Sequence, residues 1–454
     1  MNDALSIAGA PEADRSPRDA EGLQAKKVNP LRSGQKARIV VVGGGFAGVA
    51  AVRALRGSDA EILLIDRRNH HIFQPLLYQV ATAVLSPAEI SAPIRQLEVK
   101  QQNLSVLLAE VAGVNVDDRM LEAVLPEGGI RKIAFDYLVV ATGMLPSYFG
   151  HDEFARYAPA LKTLSDAENI RAKILGAFER ATTVVDEGER ARLMTFVLIG
   201  AGPTGVELAA SLAHLVKITL VGNFRHIDPS RSAIILLDAS KRILPTFAEE
   251  LSQRVAKRLT KLGVTVLTGV KVEAVDEQGV VAGGKRIPTA TALWTAGVAA
   301  SPLPKMLGGE TDRAGRMIVD PFLAVADLPG VFVVGDAASV IQGEHPVPGV
   351  AQAAIQQGRY VGQLIAKELR GQETTRPFRY VDKGNMAVVG KNYAVLERGR
   401  LRTSGFLTWL VWAFVHILAL PQLQNRLRVQ RQWLWSYFTG ERGSRVIPES
   451  PRIK

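Results

Sequence analysis

The first sustained order in this sequence is an all-apolar run, Ile39-Val40-Val41-Val42, of the kind that a strand buried on both faces requires. It breaks into Gly43-Gly44-Gly45-Phe46-Ala47-Gly48, and residues 49–55 that follow are Ala-rich and helical in composition. A second apolar run, 61–65, ends in Asp66, 23 residues after Gly43. The same order then recurs. Phe196-Val197-Leu198-Ile199 leads into Gly200-Ala201-Gly202-Pro203-Thr204-Gly205, Val206-Glu207-Leu208-Ala209-Ala210 opens a helix, and a run over 233–237 ends in Asp238. This second acid lies 38 residues after Gly200, where ~20 is usual. Residues 220–232, with Asn223, Asp228 and Pro229, therefore predict an extra turn or a helix extension. Shorter buried-strand patterns stand at 135–140, 331–336 and 386–390, and 350–360 reads as a helix. The pattern predicts an α/β chain with two Rossmann-like dinucleotide-binding domains.

The C-terminal region has a different texture. Residues 405–420 (GFLTWLVWAFVHILAL) are uncharged and almost wholly apolar. Pro421 closes the run short of the ~20 residues of a spanning helix, and His416 interrupts it, although a lone span stays open. Beyond it, Leu423, Leu427, Leu434 and Phe438 fall at helical spacing among Arg426, Arg428 and Arg431, with Trp433, Trp435 and Tyr437 suited to an interface. The expectation is a C-terminal amphipathic helical membrane-association region. Burial against a second copy is the competing reading, and a homodimer could use both. Residues 1–36 lack a secretory apolar core and read as a disordered leader.

Composition narrows the chemistry. With 454 residues, 47% hydrophobic and 22% charged, the chain can bury several cores. Net charge is +11, and residues 397–454 hold ten Lys/Arg against three Glu, a local +7. Interleaved with Trp, Phe and Leu, that charge suits an anionic membrane surface better than nucleic acid. The absence of cysteine excludes disulfides, thiolate zinc, iron–sulfur ligation and dithiol relays. Seven histidines without ligand spacing make no metal site, and adjacent His70 and His71 read as surface or capping groups. Electron transfer here calls for an organic cofactor.

In each glycine loop the first glycine permits the tight turn, the next lets amides approach a pyrophosphate, and the last lets helix pack on strand. Asp66 and Asp238 are placed to accept from ribose hydroxyls. Asp238 favours NADH, while Lys241 and Arg242 leave NADPH open. Ala141-Thr142-Gly143 and Thr295-Ala296-Gly297 are small enough for the chain to cross close to a bound nucleotide. Asp336 arrives at a turn, where it serves a ligand or caps a helix. Gln352 and Gln356, four residues apart, share a helix face. Glu207 stands where a helix dipole favours a carboxylate, and Lys383 reads first as a surface lysine.

From residue 38 to 447 the chain resembles the type II NADH dehydrogenases, single-subunit NADH:quinone oxidoreductases of the two-dinucleotide-binding flavoprotein superfamily. The resemblance rests on both glycine loops, Gln74-Pro75-Leu76-Leu77-Tyr78-Gln79-Val80-Ala81, Ala141-Thr142-Gly143, Thr295-Ala296-Gly297, Val334-Gly335-Asp336-Ala337-Ala338 and Ala351-Gln352-Ala353-Ala354-Ile355-Gln356-Gln357. It implies non-covalent FAD at Gly43, Gly45, Phe46, Ala47, Gly48, Asp66, Gln79, Ala141, Thr142, Gly143, Asp336 and Ala337. It implies NADH as substrate at Gly200, Gly202, Thr204, Gly205, Glu207, Asp238, Ala296 and Gly297. A membrane quinone is implied beside Gln352, Ile355 and Gln356, with Glu207 near the nicotinamide, influencing NADH positioning and quinone protonation; beside that, Lys383 has two functional readings, charge for reduced flavin or proton uptake. The implied enzyme is respiratory and pumps no protons, working as a peripheral homodimer on the cytoplasmic face of the inner membrane. Without cysteines, the disulfide and sulfide:quinone reductases of this architecture are excluded. Two rivals are an NADH-dependent flavoprotein reductase of a soluble electron carrier and a non-catalytic NADH-sensing flavoprotein. The expected domains are 37–160 and 312–380 for FAD, 161–311 for NADH, and 381–454 for the membrane.

Overall fold

The structure, a computed structural model, describes residues 36–447. Nearly all of the expected leader and residues 448–454 lie outside them.

The first sheet is wholly parallel, in the order Leu104–Leu108, Ala60–Asp66, Ala37–Val42, Tyr137–Val140, Val331–Val333. Its central strand carries fully buried Ile39, Val40 and Val41, as an apolar run covered on both faces should. Helix Phe46–Ala54 makes the crossover and packs on helix Ala351–Glu368. The contact is backbone-close because Gly358 has no Cβ, which would otherwise sit 2.0 Å from the Ala47 carbonyl oxygen. The second sheet repeats the order without its last member: Val264–Thr268, Ala233–Asp238, Thr195–Ile199, Thr291–Trp294. Because Val331–Val333 pairs with Tyr137–Val140, the chain returns to the first sheet after completing the second.

The extra length before Asp238 has a visible purpose. Helix Pro203–His214 continues as a π-helical turn, Leu215–Thr219, and Thr219 Oγ1 donates to the Gly440 carbonyl at 3.0 Å. Arg445 Nη1 donates to Asn223 Oδ1 at 2.7 Å. The insertion is a dock for the C-terminal segment.

A three-stranded antiparallel sheet, Asn385–Val388, Ala394–Arg398 and Leu401–Gly405, leads to a helical hairpin, Phe406–Ala419 and Leu423–Thr439. At 14 residues the first helix spans about 21 Å. No described helix is long and apolar enough to cross a membrane, so the lone span left open by the sequence does not form. The hairpin turns Trp412, Asn425 and Val429 inward and leaves Leu407, Phe414, Leu423, Leu427, Leu434 and Phe438 exposed. Asn425 Nδ2 anchors it on the carbonyls of Ala88, Glu89 and Ser91. One residue counted from sequence as a tail cation departs from that reading: Arg442 is buried, donating to Thr82 O at 2.7 Å and Ser211 O at 3.0 Å. Two carbonyls from distant segments draw it inside.

Candidate functional site

The two glycine loops are built alike. Gly43 has φ +109° and Gly200 φ +107°, a region that disfavours side chains. A Cβ on Gly48 would lie 1.8 Å from Gly43 O, and one on Gly205 1.9 Å from Gly200 O. A Cβ on Gly45 or Gly202 would meet nothing within 4 Å, so both loops open outward there. Neither following helix has a side-chain cap, which leaves first-turn amides for an anion. In the first loop, Asp66 Oδ2 accepts from Gly44 N at 2.6 Å and Oδ1 from Arg68 N at 2.7 Å. In the second, Asp238 Oδ2 accepts from Ala201 N at 2.5 Å and Oδ1 from Ser240 N at 2.7 Å. Arg242, which left NADPH open in the sequence, is committed to Phe247 O, Pro245 O and Ser252 Oγ.

The first loop borders a groove of about 480 Å3 that reaches Ala141, Thr142, Gly143 and Asp336. A second cavity of about 390 Å3 continues past Asp66. These residues fit a dinucleotide with a long polar midsection: uncapped amides, an open glycine, and a carboxylate on the wall. Thr204, Glu207 and Gly297 line an adjoining cavity of about 150 Å3. The groove and this cavity share Gln74, Pro75, Pro146, Lys162 and Thr204, so the two nucleotide loops open on one cleft. Lys162 was not singled out from sequence. Burial lowers its pKa while Asp336 opposes the shift, and Asp336 is raised by burial against the pull of Lys162. Half-buried Lys162 and half-buried Asp336 thus attract each other where the two loops meet.

Glu207 lies at the end of that cleft. Burial lifts its carboxyl to about 8, against a weak hydrogen bond from Val388 N at 3.3 Å. It is therefore an uncharged acid near neutral pH. Glu207 and Tyr78 also wall a further cavity of about 120 Å3 beneath the hairpin, lined by Trp409, Trp412, Trp433 and Tyr437. Trp412 stacks on Trp433 at 5.2 Å between centroids, and Trp409 on Tyr437 at 5.7 Å. Three buried polar atoms of the lining residues, Trp412 Nε1, His214 Nδ1 and Arg442 Nε, have no partner among the described residues. Burial moves His214 to about 4 and Arg442 to about 9, so the first is neutral and the second charged at pH 7. An aromatic slot with orphaned polar atoms suits a flat ligand carrying carbonyl oxygens.

Several expected residues sit elsewhere. Gln352 and Gln356 do share a face, but it meets the chain at 381–384. Gln352 bonds Lys383 N and Gly384 O, and Gln356 bonds both polar backbone groups of Val381. Their neighbours Ala351 and Ala354 face the groove instead. Ile355 and Lys383 line none of the cavities described here, and Lys383 is exposed. Gln79 is turned from the groove: it donates to Tyr78 Oη at 3.0 Å, accepts from Trp433 Nε1 at 2.7 Å, and lines the aromatic cavity. Gly48 and Gly205 act beneath their loops, and Ala296 packs under Gly200. Ala337 is buried behind Asp336, where Gln357, quoted in the helix motif but given no role from sequence, accepts from Gly335 N at 2.6 Å.

Comparison with known proteins gives a consistent result. Residues 37–358 match the family described as pyridine nucleotide-disulphide oxidoreductase. Two type II NADH:quinone oxidoreductases of Mycobacterium tuberculosis, Ndh and NdhA, are each 42% identical to the chain. The alignments cover 91% of the chain and 90% of Ndh, and 92% of the chain and 91% of NdhA. The solved structure of NDH2 from Plasmodium falciparum in complex with NADH superposes with a TM-score of 0.82 at 19% identity, over 91% of this chain and all of that one. At that identity the likeness is one of fold.

Proposed function

The chain belongs to the pyridine nucleotide-disulphide oxidoreductase family and, within it, to the type II NADH:quinone oxidoreductases; from that membership we propose how its residues carry the reaction. NADH and a proton are consumed, NAD+ is released, and a membrane quinone gains two electrons and two protons. FAD would be held non-covalently in the groove of the first loop by Gly43, Gly45, Ala141, Thr142, Gly143 and Asp336, and would supply two-electron redox chemistry there. Thr204 and Gly297 position the nicotinamide half of NADH, and the Asp238 carboxylate selects the 2′-hydroxyl over a 2′-phosphate. Lys162 supplies positive charge where the two nucleotides meet.

The observation that carries the acceptor site is the trio of orphaned polar atoms in the aromatic cavity, with protonated Glu207 on its wall. Arg442 and Trp412 donate to quinone oxygens, the tryptophans stack on the ring, and Glu207 gives a proton and regains one from water through the cleft. This reading sets the acceptor in the cavity under the hairpin, where the resemblance implied the two glutamines. Gln352 and Gln356 keep a positioning role, holding 381–384 in place.

The exposed apolar face of the hairpin lies in the headgroup region of an anionic, cytoplasm-facing bilayer, with Arg428 and Arg431 toward lipid phosphates. A second copy related by symmetry shares the arrangement. Electrons enter from water and leave toward lipid without charge crossing the membrane. The test is an acceptor panel: purified holoprotein should oxidise NADH with soluble quinones far faster than with a soluble iron–sulfur carrier, and far faster than it oxidises NADPH. A preference for the protein carrier overturns the reading.

A further inference from the structure

A cavity of about 290 Å3 lies on the reverse side of the first glycine loop. Ile94 and His71, both in its wall, touch that loop from behind. A Cβ on Gly44 would meet Ile94 Cδ1 at 2.4 Å, and His71 Nδ1 meets Gly44 O at 2.9 Å. The floor is apolar, formed by Val49, Ala92 and Leu97, and three cations stand around it: Arg53, Arg56 and Lys100. Among the described residues no carboxylate lines the cavity. Nearby surface arginines find acids, Arg95 with Glu98 at 3.3 Å and Arg67 with Glu110 at 3.5 Å. Among the described residues the three cavity cations have no such partner.

The last wall is the turn of the hairpin itself, Pro421 and Gln422, and Gln422 Nε2 donates to Gln96 Oε1 across the rim. Leu418 and Leu423 flank the turn with exposed side chains. Val99, next to Lys100, is 87% exposed. Unpaired cations over an apolar floor, at the end of an exposed apolar hairpin, match a phosphodiester that carries acyl chains. We propose that this cavity binds the headgroup of one anionic phospholipid, its phosphate held by Arg53, Arg56 and Lys100 and its chains running beside Leu418 and Leu423. The inference rests on the reading of the hairpin as the membrane face. It adds a stoichiometric lipid site to what would otherwise be diffuse attraction.

The test uses full-length holoprotein titrated calorimetrically with short-chain, water-soluble lipids below micelle formation. Dihexanoyl phosphatidylglycerol should bind once per chain, and dihexanoyl phosphatidylcholine and inorganic phosphate much more weakly. Each of Arg53→Gln, Arg56→Gln and Lys100→Gln should weaken phosphatidylglycerol binding about fivefold, with FAD content unchanged. Equal binding of phosphatidylcholine, equal binding of free phosphate, or undiminished binding by the triple variant would overturn the proposal. Vesicle pelleting decides the underlying reading separately. Leu407→Asp with Phe414→Asp should abolish pelleting with any vesicle. The triple cation variant should lose only the gain that phosphatidylglycerol gives over phosphatidylcholine vesicles, and retention of that gain would also count against the site. If the parent pellets with no vesicle, the membrane reading fails while the calorimetry still decides the cavity.

Discussion

The two nucleotide-binding units share a strand order, a glycine loop and an aspartate that ties that loop down, yet they are finished differently. In the first, strand Val331–Val333 joins the sheet beyond Tyr137–Val140 and delivers Gly335 and Asp336 to the groove. Helix Ala351–Glu368 then closes against Phe46–Ala54 at glycine contact distance. In the second, the sheet ends at Thr291–Trp294, with only a single bridge from Ala160 beyond it. The proposed resident and visitor thus meet the same loop architecture, and what differs is that a later strand brings a carboxylate to the first groove. The groove of the first unit draws its walls from stretches as far apart as Gly43 and Ala354.

Breaking the loops one at a time should separate these roles most sharply. Gly48→Val and Gly205→Val each force a Cβ into a backbone carbonyl, a strain of about 3 kcal/mol or more. The first variant should be isolated without flavin, while the second should stay yellow and fail to be reduced by NADH. Absorbance of the purified proteins, before and after NADH, checks both.

Next in size is Glu207→Gln, which should slow quinone reduction about a hundredfold. Because burial holds the parent carboxyl at about 8, its proton is available below that pH and lost above it. Parent turnover with quinone should therefore fall as pH rises through about 8, and the glutamine variant should lose that limb. Pre-steady-state flavin reduction by NADH should change far less, since hydride transfer needs no proton from this group. Lys162→Met should leave flavin bound and lower its midpoint potential by about 30 mV, equivalent to about 1.4 kcal/mol for two electrons. A cation beside the reduced, anionic form favours that form. Potentiometric titration reads the shift. The smallest expected change is in Asp238→Asn, where the NADH over NADPH preference should drop roughly fivefold, for about 1 kcal/mol of lost hydrogen-bond selectivity. Paired kcat/KM values for the two donors measure it.

What the sequence made legible was local. Gly43, Gly48, Gly200 and Gly205 answer to atoms of their own turn or of the residues that end the strand beside it, so strand, loop and helix could be placed directly, and the second strand still ends at Asp238 after an insertion that falls between elements. What it hid depends on segments that arrive from far along the chain. Periodicity puts Gln352 and Gln356 on one face, but the segment at 381–384 decides what that face meets. Gln79 and Arg442 look like site and surface residues, and each is claimed by a distant partner, Trp433 for one and the carbonyls of Thr82 and Ser211 for the other. Lys162 carries no neighbouring pattern, because its importance comes from facing Asp336, which arrives from far along the chain. The aromatic cavity is likewise a product of folding: Tyr78, Glu207, Trp412 and Trp433 come from four separate stretches.

The central claim is that a resident flavin stands between an exchangeable nicotinamide and a quinone under the hairpin. Anaerobic stopped-flow mixing tests it most directly, with the flavin spectrum followed as NADH is added and then a soluble quinone. The account predicts rapid bleaching by NADH and prompt return of colour with quinone. A chain that takes up no FAD, or a bleached flavin that no quinone restores, would contradict it.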